Sequence, residues 1–235
     1  MLLVLAGAGD GAARDLAARW RGHEARLVTP RDLSVAGWRH DPLDPRFDVA
    51  VVDGLPVAAR TLDGVLTRLS AVTPQDLPHV VPADRAYVAA EMTAFLLSWL
   101  SALPSRVVNR PTPTCLAGPG LRREEWVVLA ARLGIPTCGV ERVVRAGGQF
   151  TLTSASGEPA CETVTVVGDR CLGARRRTQG EHATALARGC GAEVLSVRFA
   201  SGDGGIIGAD PLVDVADGEV AASLLGIFGV RGRAS

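Results

Sequence analysis

The sequence predicts a mixed α/β protein: a parallel α/β domain over residues 1–110, then an α+β domain with an antiparallel sheet over residues 111–235. Three stretches carry this expectation. Leu2–Ala6 is a continuous apolar run, as in a central parallel strand, and leads through Gly7-Ala8-Gly9-Asp10-Gly11 into a helical segment. After Gly134 the pattern changes to short β-like runs separated by Gly-Gly, Ser-Gly-Glu-Pro and Gly-Asp, the punctuation of hairpins. Between them, Val107–Val144 reads as a strand end, an Asn-Arg-Pro turn, a Gly/Pro-rich loop, a helix and a Gly-Ile-Pro exit into a new strand.

In chain order, a helix is expected over Ala12–Trp20, a second strand at Ala25–Val28 and a third parallel strand at Asp48–Val52. The segment Asp32–Arg46 reads as a surface loop, Leu62–Leu69 has no decisive period, and Val72–Pro82 is rich in proline. Asp84 stands as the N-cap of the longest helix, Arg85–Leu103, with Val88, Met92, Phe95, Leu96, Trp99 and Leu103 on one apolar face. In the junction helix Leu121, Val128, Leu129 and Leu133 recur at helical spacing, Gly134 sits where a left-handed C-terminal cap belongs, and Pro136 prevents continuation. Strands follow at Val140–Val144, Phe150–Thr153, Thr163–Val167 and Cys171–Ala174. Then come a helix over Gly180–Arg188, strands at Glu193–Phe199 and Gly205–Ala209, and a closing helix over Glu219–Phe228.

Composition narrows the function classes. A formal net charge of zero gives no general attraction to nucleic acid or an anionic membrane. All 25 basic residues are arginine, which points to a very GC-rich coding sequence; any basic phosphate contact must therefore come from a guanidinium. Cys115, Cys138, Cys161, Cys171 and Cys190 form no C-x-x-C pair. With no signal peptide and no long apolar run, the expectation is a soluble cytoplasmic protein with reduced thiols.

The junction resembles that of ATP-grasp ligases, in which a "vvN-x-p" turn leads to a helix ending in "a-G-I-P-x-p"; the matching residues are Val107, Val108, Asn109, Pro111, Gly134, Ile135 and Pro136. Val164–Arg175 is similar to the strand pair "vvVvGdkvfaar" of that superfamily, with Gly168-Asp169 at the turn. The metal-binding end, "g-v-D-l…l-E-v-N-p", falls on Val197-Arg198-Phe199 and Ile207-Gly208-Ala209-Asp210-Pro211. The resemblance implies a shortened ATP-grasp-like second domain of the glutathione synthetase or ribosomal-protein glutamate ligase type. Such enzymes make an acyl-phosphate from a carboxylate and ATP, with magnesium neutralising the triphosphate on hard oxygen ligands. Here the ligand positions hold Arg198, Gly208 and Asp210, so only Asp210 keeps a metal-binding oxygen unless the Arg198 guanidinium supplies the charge itself. The two phosphate-holding lysines have no counterpart, Gly147-Gly148 is short for a phosphate flap, and about thirty residues separate Gly134 from the Val164 strand.

The resulting expectation is a degenerate, non-catalytic member that needs no cofactor. It would hold a peptide, a small carboxylate or a partner enzyme in an interdomain cleft or at a homodimer face. The alternative is an active carboxylate–amine or carboxylate–thiol ligase using ATP and magnesium, with Asp210 on the metal and Arg142, Arg175 and Arg177 in place of the lysines. A third reading uses Gly7–Gly11 for a nicotinamide cofactor, with Asp32 as the acid after the second strand, although G-x-G-x-G also suits any βα turn. Asp203, Asp210, Asp214, Asp217 and Glu219 could bind a cation or cap local turns, and Arg175-Arg176-Arg177 could grip a phosphate or acidic partner or be a solvated strand end. His23, His40, His79 and His182 read as surface residues without metal spacing, and Trp38 is the tryptophan expected to line a site or interface.

Overall fold

The computed structural model describes residues 1–138, 160–201 and 204–229, and the backbone of the strands 140–144 and 150–154. The chain forms two compact units, Met1–Gly120 with Asp214–Ser235, and Leu121–Val213.

The first unit is built on a parallel sheet. Strand β1 (Leu2–Leu5) is buried along its whole length, and α1 (Gly11–Arg19) follows it into β2 (Arg26–Val28). Asp10 starts α1 by accepting the Ala13 N–H at 2.9 Å. The run around Asp48–Val52 does not join this sheet. It forms β3 (Val49–Val52), an antiparallel hairpin with β4 (Leu55–Ala58), turned by Asp53 at φ 51° and Gly54 at φ 76°. Two left-handed residues make the hairpin turn whose twist matches its strands, which is why Asp-Gly overrides the parallel alternative. The third parallel strand comes from the segment without a decisive period: β5 (Gly64–Thr67) is wholly buried and pairs with β1. The helix α2 (Arg85–Ala102) then crosses to β6 (Arg106–Val108), giving the order β2-β1-β5-β6.

Helix α2 buries Leu96 and Trp99 against Leu3, Val65 and Val107, with Val88, Met92 and Phe95 partly buried beside them. Asp84 occupies the N-cap position without a side-chain cap hydrogen bond. The expected surface loop over residues 32–46 is only partly that. Trp38 turns inward, edge-on to Phe95 at 5.7 Å and to Trp99 at 5.3 Å, and donates to the Asp32 carbonyl. The indole thus packs with the core rather than lining an opening.

In the second unit, α3 (Arg123–Arg132) ends at Gly134, whose φ of 71° is the expected left-handed cap. The helix's packed stripe differs from the predicted one: Trp126 and Ala130 are buried, Leu129 partly, while Val128 and Leu133 are exposed. One indole at the centre of the contact buries more apolar surface than the flanking aliphatics, and so sets the helix's rotation. After Pro136 the chain runs beside the last strand, with Cys138 N–H donating to the Ile206 carbonyl and Ile206 N–H to the Pro136 carbonyl. A two-stranded hairpin, β7 (Val140–Val144) and β8 (Phe150–Ser154), comes next.

The remaining strands are β9 (Cys161–Val167) and β10 (Arg170–Leu172), then α4 (Arg177–Cys190), β11 (Val194–Ala200) and β12 (Ile206–Asp210). They form an antiparallel sheet ordered β10-β9-β11-β12. One face of it, with Val164, Val166, Leu195, Val197, Phe199 and Ile206, packs on Trp126 and Ala130 of α3 and on Ala183, Leu186 and Ala187 of α4. The final helix α5 (Gly218–Ile227), which the sequence reading groups with the second half, belongs to the first unit. The residue after it, Phe228, lies edge-on to Trp20 at 6.4 Å and against Gly64. Among the described residues no helix is long and apolar enough to cross a membrane.

Candidate functional site

The face of the β9–β11–β12 sheet opposite Val197, Phe199 and the core gathers the residues at the predicted metal positions. Side chains alternate along each strand. Since Leu195, Val197 and Phe199 enter the core, Ser196 and Arg198 face the other way. Register places Arg198 opposite Gly208 on one side and Thr163 on the other, and Ser196 opposite Asp210 and Thr165. A register shift beside Phe199, which pairs with Ile206 while Arg198 pairs with Gly208, makes Ile207 an extra residue. That bulge splits Ile206 from Gly208, sending the first to the core and the second to the opposite face with Asp210.

Sequence reasoning missed Arg123. Its Nε donates to the Ile207 carbonyl at 3.3 Å, and its buried Nη2 has no hydrogen-bond partner among the described residues. A Cβ on Gly208 would sit 3.8 Å from Arg123 Cγ and 3.8 Å from Arg198 Nη2, so guanidinium-bearing side chains flank the bare backbone from both sides. The only signal was that Arg123 opens the junction helix.

Magnesium does not fit these residues. The ion needs several hard oxygens and is repelled by cations, whereas this face presents Arg198 and a glycine for two of three ligands. Asp210, the third, uses Oδ1 to accept the Leu212 N–H at 2.8 Å. Thr165 and Ser196 are hydrogen-bonded to each other at 3.2 Å. No group of three His, Cys, Asp or Glu poised for a metal occurs among the described residues.

The other predicted arginines lie elsewhere. Arg175 pairs with Glu162 at 3.2 Å and Arg177 with Glu181 at 2.7 Å, both at the start of α4, on the opposite side of the sheet from Arg198 and Asp210. The backbone of Arg142 stands opposite Leu152 in the β7–β8 hairpin; its side chain, Gly147-Gly148 and Asp203 lie outside the described residues. The run of acids closes local turns: Asp214 accepts from Ala216 N–H, and Asp217 caps α5 through Glu219 and Val220 N–H. In the glycine-rich turn Asp10 pairs with Arg68 at 2.9 Å, and Asp32 Oδ2 accepts from the amide and hydroxyl of Thr29.

The loop over residues 32–46 brings together a chain the sequence did not disclose. His40 Nδ1 lies 2.8 Å from Asp48 Oδ2, and His40 Nε2 lies 2.8 Å from Ser98 Oγ. These are the contacts of a Ser-His-Asp triad, and they correct the reading of His40 as a surface residue, since its side chain is 6% exposed. The arrangement lacks the rest of a hydrolase. Ser98 sits within α2, where backbone N–H groups are committed to carbonyls one turn earlier and cannot stabilise an oxyanion. The chain instead clamps the loop onto the helix, with Phe95 edge-on to the imidazole at 5.9 Å.

No family model matches the sequence, and no curated protein matches it. Solved structures do match, over nearly the whole of both chains. The ATP-grasp ligase PsnB complexed with a minimal precursor is similar at a TM-score of 0.67 and 11% identity, over 96% of this chain and 97% of that one. This chain has the ATP-grasp fold. The macrocyclase MdnC from Microcystis aeruginosa MRC, bound with precursor peptide MdnA, superposes at 0.69 with 7% identity over 97% and 99%. The RimK domain ATP-grasp protein of Sphaerobacter thermophilus DSM 20745 gives 0.52 with 17% identity over 96% and 100%. Within the ATP-grasp fold as this chain builds it, the described elements between α3 and β9 are the single β7–β8 hairpin.

Proposed function

We propose that this chain is a non-catalytic protein of the ATP-grasp fold that binds a peptide. The observation that carries this is the pairing of Arg198 with Gly208, a cation and a bare backbone side by side where an ATP-grasp enzyme needs two acids. Phosphoryl transfer depends on electrostatic stabilisation of the moving charge, and these residues cannot seat the ion that supplies it. Peptide is favoured over a small carboxylate or a partner enzyme because PsnB and MdnC, of the same fold, are solved with a precursor and a precursor peptide. Holding a peptide requires neither metal nor nucleotide. Isothermal titration of the full chain with ATP and magnesium tests the reading: no metal-dependent heat is expected, and micromolar binding that requires the metal overturns it. ADP release that depends on an added carboxylate and vanishes in Asp210→Ala would establish the active ligase in its place.

A further inference from the structure

The arginines at the start of α4 do not stand alone. With Arg188 they line an open groove of about 580 Å³ that also includes the small residues Ala174, Gly180 and Ala185. On α4 the residues Arg177, Glu181, Thr184, Ala185 and Arg188 recur at i, i+4, i+7, i+8 and i+11, one continuous stripe, while Ala183, Leu186 and Ala187 face the core. Arg177 and Arg188 are therefore about 16 Å apart along the helix axis, the span of roughly five extended residues. Arg175 and Arg176 reinforce the Arg177 end, where the helix dipole is also positive.

We propose that this groove docks an extended acidic peptide, with carboxylates at both ends and small or apolar residues between them. The proposal rests on the peptide-binding reading and specifies the peptide. Four guanidiniums line the groove against one carboxylate, Glu181, which sits between the two cationic ends. An acid at the middle of the peptide would meet Glu181, whereas acids at its ends would meet Arg188 and Arg175–Arg177. The arginines already hold partners: Arg175 with Glu162 at 3.2 Å, Arg177 with Glu181 at 2.7 Å, and Arg188 with Asp169 at 3.8 Å. These side chains are 77%, 92% and 75% exposed, and ion pairs so exposed contribute little, so a ligand carboxylate can share or replace them. The small lining residues let the peptide backbone approach closely, and the arginine forks fit carboxylates two oxygens at a time.

Fluorescence anisotropy on the full chain tests this with a labelled Glu-Glu-Ala-Leu-Ala-Glu-Glu peptide. A Lys-Lys-Ala-Leu-Ala-Lys-Lys peptide serves as its opposite. The acidic peptide should bind and the basic one should not. Arg177→Glu with Arg188→Glu should weaken binding about tenfold or more, and the milder Arg177→Gln with Arg188→Gln should weaken it less. Arg31→Glu with Arg60→Glu, the same charge change at exposed positions of the other unit, should leave it unaltered. Circular dichroism confirms that each variant is folded. No binding of the acidic peptide, an equal loss in the Arg31/Arg60 variant, or full displacement by millimolar phosphate, which would make the groove a small-anion site, overturns the proposal. None of these outcomes bears on the ATP and magnesium titration, so the peptide reading can survive the loss of this groove.

Discussion

Arg198 and Gly208 are direct cross-strand partners, and the Arg198 Nη2 lies 3.8 Å from where a Gly208 side chain would begin. The glycine's backbone lies outside the left-handed region and nothing is closer than that distance, so the position accepts a side chain. Gly208→Glu should fold, gain strand propensity and pair with Arg198, changing stability by no more than about 1 kcal/mol. Thermal melts check this. Arg198→Asp combined with Gly208→Glu places two acids beside Asp210, and should show a magnesium-dependent rise in melting temperature that is absent from the natural chain.

The clamp formed by Ser98, His40 and Asp48 should behave as structure rather than machinery. Asp48 also accepts the Asp41 N–H at 2.9 Å, so Asp48→Ala removes the partner of both the His40 imidazole and that amide and should cost about 2 kcal/mol, against about 1 kcal/mol for Ser98→Ala. Denaturant titrations rank the two. Hydrolysis of an activated ester should stay at background in both variants and in the natural chain.

A Cβ on Gly64 would run into the ring of Phe228. Gly64→Ala should therefore destabilise by about 1–3 kcal/mol through overpacking. In a Phe228→Ala background the same change should cost less, giving a coupling of about 1 kcal/mol or more in a double-mutant cycle. Independent costs would show that Phe228 does not cover the strand.

Burial pushes the Cys190 thiol above its ordinary range, whereas Cys161 is exposed. Iodoacetamide at pH of about 8.5 should label Cys161 well before Cys190, as read by mass spectrometry of tryptic peptides. The sign of the linkage follows. With the folded thiol raised, the unfolded chain loses its proton first as pH increases, so the Cys190 contribution to stability is complete below the unfolded thiol's pKa and declines above it. Cys190→Ala should flatten the alkaline side of a stability–pH curve.

Where the chain's own chemistry was local, the sequence was legible. The apolar run at Leu2–Leu5, the Gly134 cap and the Gly168-Asp169 turn each depend on neighbours within a few residues, and each is found where the pattern puts it. Segments whose state depends on distant partners were not legible. Gly64–Thr67 is a strand because β1 and β6 flank it, and Trp38 packs against the core because Phe95 and Trp99 meet it.

The sequence by itself determined that positions 198 and 208 hold an arginine and a glycine, neither of which has a side-chain oxygen, because residue identity alone decides which atoms can bind a cation. Only the tertiary structure decided that Arg198 and Gly208 face each other with Arg123 beside them, that Arg175 and Arg177 join Arg188 on the other side of the sheet, and that His40 bridges Asp48 to Ser98. These meetings are set by strand register, by one bulged residue at Ile207 and by which stripe of a helix is buried. Spacing along a chain carries no record of those until the chain folds.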